Sequence, residues 1–383
     1  MEQTSRYSAG QHRLLLLLLL LLLLLLLLLL LLRASHIKTL LQTIHAHHGG
    51  VMAIHASSIV LANSDTTSIS SSGSSSISVI VIATGGRDGA VRVWHSATGK
   101  MLREFLGHTK QVMSVRLLPL ATGAPLTKAT PAHDTAAAAA AAAASQPPAE
   151  DSGQQLPCTV VSSADDVRVW DGISGACIRV LQPHKHLVSS LLPVEGQARA
   201  LVSSSWDKTS IVWDTDSWQV KRTISLHTAS ITAAASGPGG KIATGTLGGE
   251  VAIWDASTGG MLVRAQRVYS AAVNAIGWCS GCLWLAMETN IVVLSITDGN
   301  ELQRLHGHTE FVTAIATDAP WVFSASRDGT MRVWDAATRA CVRVIAAAGV
   351  RCVSLVPGAG CMVVGNTQGV AEIWRPEGSV QRY

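Results

Sequence analysis

Short runs in which apolar and polar residues alternate, or in which several apolar residues follow one another, return along most of this chain about every forty residues. Residues 307 to 344 show the unit. The stretches "FVTAIA", "WVFSAS", "TMRVWD" and "ACVRV" have the length and β-branched content of strands, and "DAP", "RDG" and "AATR" between them carry turn residues. The pattern predicts four short strands per unit. Tryptophans at Trp170, Trp213, Trp254, Trp334 and Trp374 mark the repeat with gaps of 43, 41, 80 and 40, and the first four are each followed by aspartate. The long gap halves at Leu294, where "NIVVLSITDGNEL" keeps the shape of the unit without its tryptophan, and "GAVRVWHSATGKM" adds Trp94 upstream.

This period, with Trp-Asp pairs, Gly-His dipeptides and a recurring turn aspartate, resembles the WD-repeat family, whose fold is a β-propeller of four-stranded blades. The resemblance covers residues 37 to 383. Counting the strand-three positions Trp94, Trp170, Trp213, Trp254, Leu294, Trp334 and Trp374 predicts an all-β, seven-bladed propeller. Ahead of the first blade, "IKTLLQTIHAHH" looks like a fourth strand without its own blade. In the family such a strand pairs into the last blade and removes two open sheet edges. The tail "SVQRY" (379–383) competes for that slot, and residues 37 to 44 are the longer and more apolar of the two.

The resemblance also implies a buried hydrogen-bonded set in each blade, formed by a His before strand one, a Ser or Thr in strand two, an Asp in the next turn and the strand-three Trp. Matched residue by residue, blade one carries His47, Thr84, Asp88 and Trp94; blade three carries His184, Ser203, Asp207 and Trp213; blade six carries His308, Ser324, Asp328 and Trp334. Blade two matches with His108, Ser162, Asp165 and Trp170, in a turn one residue short. Blade four keeps His227, Thr244 and Trp254 but has Gly248 at the Asp position, and blades five and seven lack both His and Asp. One copy per blade reads as a packing device rather than a catalytic triad, because catalysis needs a single exposed nucleophile.

Ahead of the repeat, nineteen consecutive leucines, Leu14 to Leu32, follow a short polar N-terminus (1–13). As a helix the run would rise about 28 Å, close to the ~30 Å hydrocarbon core of a bilayer, and "LLRASHIK" offers no small-x-small cleavage site. It is therefore expected to be an uncleaved transmembrane anchor; the alternative is a repeat expansion or gene-model artefact on a soluble cytoplasmic protein. Arginines flank both ends, so positive charge barely sets the orientation. Seven cysteines in no disulfide-like spacing, and the lack of an Asn-X-Ser/Thr acceptor, place the propeller on the cytosolic side. Two insertions, Ser-rich near 62–78 and Ala/Pro-rich near 121–156, read as disordered loops between strands one and two, both on the ring face opposite the Asp turns.

Charged residues make up only 14% of the 383, and the net charge of +4 comes without a Lys/Arg block, so nucleic acid is not an expected partner. "WCSGCLW" (278–284) holds Cys279 and Cys282, a candidate thiol-redox pair, but Ser-Gly between two strands is ordinary hairpin chemistry. "HAHH" (45–48) does not suggest a metal site, since His47 already belongs to a blade set. Neither a cofactor nor a small-molecule substrate is expected, and the chain is read as a non-catalytic scaffold. Its Asp-turn face would expose Arg87, Lys110, Lys185, His186, Trp206, Lys208, Phe311 and Arg327, with Glu310 the main acid. A basic rim around aromatic anchors suits proteins or peptides carrying acidic or phosphorylated motifs.

Overall fold

The computed structural model describes residues 37–61, 77–119, 156–265, 271–356 and 361–376. Their strands form seven four-stranded antiparallel sheets, six of them with their strands in sequence order from the channel outward. The chain is thus an all-β, seven-bladed propeller, and among the described residues the one helical element is a 3-10 turn at Pro238–Gly240. Blades one to six run through residues 51–105, 114–181, 188–224, 231–264, 273–305 and 312–346. Blade seven takes three strands from 350–376 and its outermost strand, Ile37–His45, from the start of the repeat region. That strand pairs antiparallel with Val370–Pro376, from Ile37 opposite Pro376 to His45 opposite Val370. Between the two candidates for ring closure, the slot is therefore held by the N-terminal segment.

Each hydrophobic cluster lies between two neighbouring blades rather than inside one. Val81, Val93 and Phe105 of blade one pack with Val115, Val160 and Trp170 of blade two. Ile44 and Ala46 pack with Trp94 and Ile82 of blade one and Val363 and Ile373 of blade seven. The strand-three tryptophan therefore serves as a wedge against the preceding blade. A sheet buried on both faces explains why the middle strands read as continuous apolar runs: Cys158–Ser163 and Ala200–Ser205 are buried at every position. Outer strands are wet, as at Met261–Arg264, and their side chains alternate poorly.

The expected transmembrane helix falls on Leu14 to Leu32, outside the described residues, as do most of both insertions and the tail 379–383. Among the described residues, no helix is long and apolar enough to cross a membrane. The insertions do leave from the same face, since they join strands one and two of blades one and two.

Candidate functional site: the blade relays and the channel mouth

In blades one to four and six, strand two carries a hydroxyl toward the neighbouring strand-three indole, and the loop before strand one lays a histidine beside it. In blade three Trp213 Nε1 donates to Ser203 Oγ (2.9 Å), Ser203 Oγ lies 2.8 Å from His184 Nε2, and His184 Nδ1 lies 2.9 Å from Asp207 Oδ2. Blade six repeats this with Trp334, Ser324, His308 and Asp328 at 2.9, 2.8 and 2.8 Å. Blade one does so with Trp94, Thr84, His47 and Asp88, each step 2.9 Å. In blades three and six the chain of donors closes when the hydroxyl donates to an unprotonated Nε2 and the neutral imidazole carries its proton on Nδ1, facing the aspartate. Burial holds His47, His184 and His308 below the ordinary histidine range, which favours that neutral form. Burial alone would raise the Asp207 and Asp328 carboxyls. Hydroxyl, amide and imidazole donors outweigh it and leave Asp328 at about 2.

The aspartate also ties down the loop ahead of strand one. Asp207 Oδ2 accepts the Lys185 amide (2.9 Å), and Asp328 Oδ2 accepts that of Thr309 (3.1 Å). In blade one Gly86 passes so close that a Cβ there would collide with both Asp88 and His47. The relays thus fix the loops of the Asp-turn face to the sheets beneath them.

In blade two the expected member Asp165 is corrected to Asp166. Asp166 Oδ1 lies 2.7 Å from His108 Nδ1, while Trp170 Nε1 donates to Ser162 Oγ (2.8 Å), which lies 2.7 Å from His108 Nε2. The short turn brings the second of two adjacent acids inward, and Arg168 Nε donates to its other oxygen at 3.0 Å. Asp165 instead faces solvent beside Lys110 Nζ, 3.5 Å away. His108, Asp165 and Asp166 bring ligand atoms within 4.8 Å of one another, but Arg168 and Lys110 already supply the positive charge such a cluster would attract. Asp166→Asn should destabilise the fold by about 1–3 kcal/mol, because it leaves Arg168 buried without its anion, and Asp165→Asn by under about 1 kcal/mol. Denaturant unfolding of the two variants checks this, and equal effects would contradict the assignment.

The incomplete blades use other solutions. In blade four Glu250, two residues beyond the vacant Gly248, reaches back to His227 Nδ1 (3.2 Å) and the Thr228 amide (3.1 Å). In blade five Leu285 and Leu294, both fully buried, replace hydroxyl and indole together, and the neighbouring indole Nε1 of Trp284 is buried without a hydrogen-bond partner among the described residues. In blade seven Trp374 Nε1 donates to Glu372 Oε2 (3.1 Å), and the buried Val364 sits where a hydroxyl would be. The aspartate of each Trp-Asp pair has a separate task. Asp214, Asp255 and Asp335 each accept amides of the turn after strand three, such as Ser217 N at 2.9 Å from Asp214 Oδ1.

The seven inner strands enclose an axial channel of about 610 Å³. One ring of side chains below its mouth joins neighbouring blades: Ser189 donates to Ile231 O (2.8 Å), Thr232 to Val273 O (2.6 Å), Asn274 to Val312 O (3.1 Å) and Thr313 to Val350 O (3.0 Å). Met52, Met113 and Arg351 hold the equivalent positions elsewhere and also line the channel. Of the predicted face residues, Trp206, Phe311 and Arg327 line the channel mouth, with Trp206 and Phe311 exposed at 41% and 46% and the Arg327 guanidinium 5.7 Å from the Phe311 ring centroid. Arg87 lines an adjoining cleft with Arg351 and Gln111. Lys110 is drawn to Asp165, and His186, Lys185 and Lys208 are exposed but line neither cavity. Cys279 and Cys282 face each other across the Ser280–Gly281 turn as free cysteines, and burial raises the Cys279 thiol, opposite to what a reactive thiolate needs.

Seven radially packed sheets, relays in most of them, and loops clamped around one channel mouth define a repeat β-propeller, a fold whose loops present a binding surface. The comparisons place it more closely. Residues 175–214 and 299–335 match the family described as WD domain, G-beta repeat. The chain thus carries WD-domain repeats of that family model within a seven-bladed propeller. It is similar to Periodic tryptophan protein 2 homolog of Mus musculus, 31% identical over 28% of this chain and 12% of that protein. It is also similar to Autophagy-related protein 16 of Arabidopsis thaliana, 22% identical over 77% of this chain and 49% of that one. Small ribosomal subunit protein RACK1y of Oryza sativa subsp. japonica is 24% identical over 36% of this chain and 44% of its own. The chain spans half or less of the length of these relatives. Propellers of this family are generally non-catalytic and bind other proteins.

Proposed function

We propose that the chain is a non-catalytic interaction scaffold whose Asp-turn face docks an acidic peptide segment of a partner protein. The observation that carries this is a channel mouth lined by two half-exposed aromatic rings, Trp206 and Phe311, with Arg327 beside Phe311. Large rings that stay exposed beside fixed cations supply apolar anchorage and charge complementarity together. Arg87, Lys110 and His186 extend the basic rim around them. Trp206→Ala combined with Phe311→Ala should weaken binding of acidic peptides from a surface-displayed library at least about tenfold, as for interface anchors in general. The thermal midpoint should barely move, because both rings already meet solvent. Unchanged affinity in the double variant would sink the reading.

Among the described residues no helix is long and apolar enough to cross a membrane, and the scaffold reading needs none. The tethered version rests on the nineteen leucines alone, with the propeller on the cytosolic side. Recovery of the full chain in the integral membrane fraction after carbonate extraction would establish it, and loss of that recovery on deleting Leu14 to Leu32 would identify the anchor.

A further inference from the structure

Arginine gathers on one side of the channel mouth. Arg351 stands at the ring position that Ser, Thr and Asn occupy in blades three to six, and it lines both the channel and the adjoining cleft. Arg327 shares the channel with it, and Arg87 shares the cleft. Arg116 of blade two lines the same channel. Among the described residues neither cavity has an aspartate or glutamate in its wall, and none of these four arginines forms an ion pair.

Elsewhere the chain pairs such groups with care. Arg92 reaches Asp88 and Glu104, and Arg168 reaches Asp166. At the mouth the reverse holds, and the crowding has an electrostatic signature. Burial and the Arg327 and Arg87 charges push the Arg351 guanidinium below its ordinary range, and burial lowers Arg116 to about 10. Like charges collected in a partly desolvated concavity destabilise the empty protein and favour any anion that enters. A planar guanidinium offers forked donors that match phosphate oxygens two at a time.

We propose that the channel mouth at blades six, seven and one is a phosphoryl-binding site in which Arg87, Arg327 and Arg351 surround the anion. Arg116 adds positive potential from deeper in the channel. A dianion neutralises this cluster better than one carboxylate can, so the site distinguishes a phosphorylated group from an acidic side chain. The site itself stands independently of peptide docking; only a protein source for its phosphoryl group rests on the scaffold reading. The phosphoryl group comes either from a phosphorylated partner segment or from a small free phosphate.

Isothermal titration of the full chain with pyrophosphate, with an acidic phosphoserine peptide and with its serine counterpart tests both sources. We expect the phosphoserine peptide, pyrophosphate or both to bind, the phosphopeptide at least about tenfold tighter than the serine form. Arg351→Gln should abolish that preference. Arg87→Gln, on an exposed side chain that can be changed without disturbing the core, should weaken binding in the same direction. Arg199→Gln, remote and paired with Asp216, is the charge-matched control and should change nothing. Binding of pyrophosphate alone assigns the site to a free anion, and binding of the phosphopeptide alone assigns it to a partner. Equal affinity for both peptides together with no response to pyrophosphate overturns the proposal, as does binding indifferent to Arg87→Gln and Arg351→Gln. Acidic peptides that bind through Trp206 and Phe311 without phosphoryl preference would leave the scaffold standing and remove only this site.

Discussion

Replacing Trp170 with alanine should destabilise the propeller by about 4 kcal/mol, a large part of the ~5–15 kcal/mol that holds an ordinary domain together. The indole is fully buried between blades one and two, its ring centroid 5.5 Å from that of Phe105. Truncation opens a cavity bounded by two rigid sheets, neither of which can collapse without breaking its own ladder. It also strands a donor network, because Ser162 Oγ loses the indole N–H while still oriented by His108. Trp374 provides the comparison. It is only half-buried, and its N–H goes to Glu372 rather than into a relay, so Trp374→Ala should cost about 1–2 kcal/mol. Urea unfolding of both variants would measure the difference. Comparable losses would mean that the relays do not decide blade stability. Trp170→Phe isolates the hydrogen-bond part, expected at about 1–2 kcal/mol.

The sheets were legible in the sequence because each blade states its pattern independently, and seven weak statements in register make a strong one. Relay members were legible where the spacing is regular, as with His184, Ser203 and Asp207. They were misread where spacing fails. In blade two the turn is one residue short, and position alone could not say which of Asp165 and Asp166 turns inward; burial of Arg168 decides it. Glu250 escaped notice because its longer side chain acts from two residues beyond the expected place. Arg351 escaped for a different reason. Its significance depends on six other strands lining up in a ring, and no local window shows that the neighbouring positions are Ser, Thr and Asn. Sequence patterns report local pairing well and ring-wide juxtapositions poorly, so the packing was readable while the arginine cluster was not.

Deleting Ile37–His45 should abolish the cooperative unfolding transition and leave the chain aggregated. Six blades receive their outer strand from the next stretch of chain, whereas blade seven takes it from more than 300 residues away. The segment pairs along nearly all of Val370–Pro376, and the Ala46 and His47 amides then donate to Gly369 O at 2.8 and 3.0 Å. The fit is tight enough that a Cβ on Gly369 would strike the His47 carbonyl. Ile44 and Ala46 add their side chains to the cluster that joins blade seven to blade one. Without the strand, Val370–Pro376 becomes an open edge able to pair with another copy, and the blade seven to blade one interface loses its outer packing. The combined loss is on the order of the whole stability of the ring. A milder variant keeps the outcome measurable: Ile44→Asp places a charge among Val363, Ile373 and Trp94 and should cost about 3 kcal/mol or more. Removing 379–383, the other candidate for the slot, should leave the midpoint unchanged. A deletion of 37–45 that unfolds with the parent midpoint would show that another segment can close the ring. Restoration of the transition by a synthetic peptide of those nine residues would show that pairing, and not chain connection, is what the propeller requires.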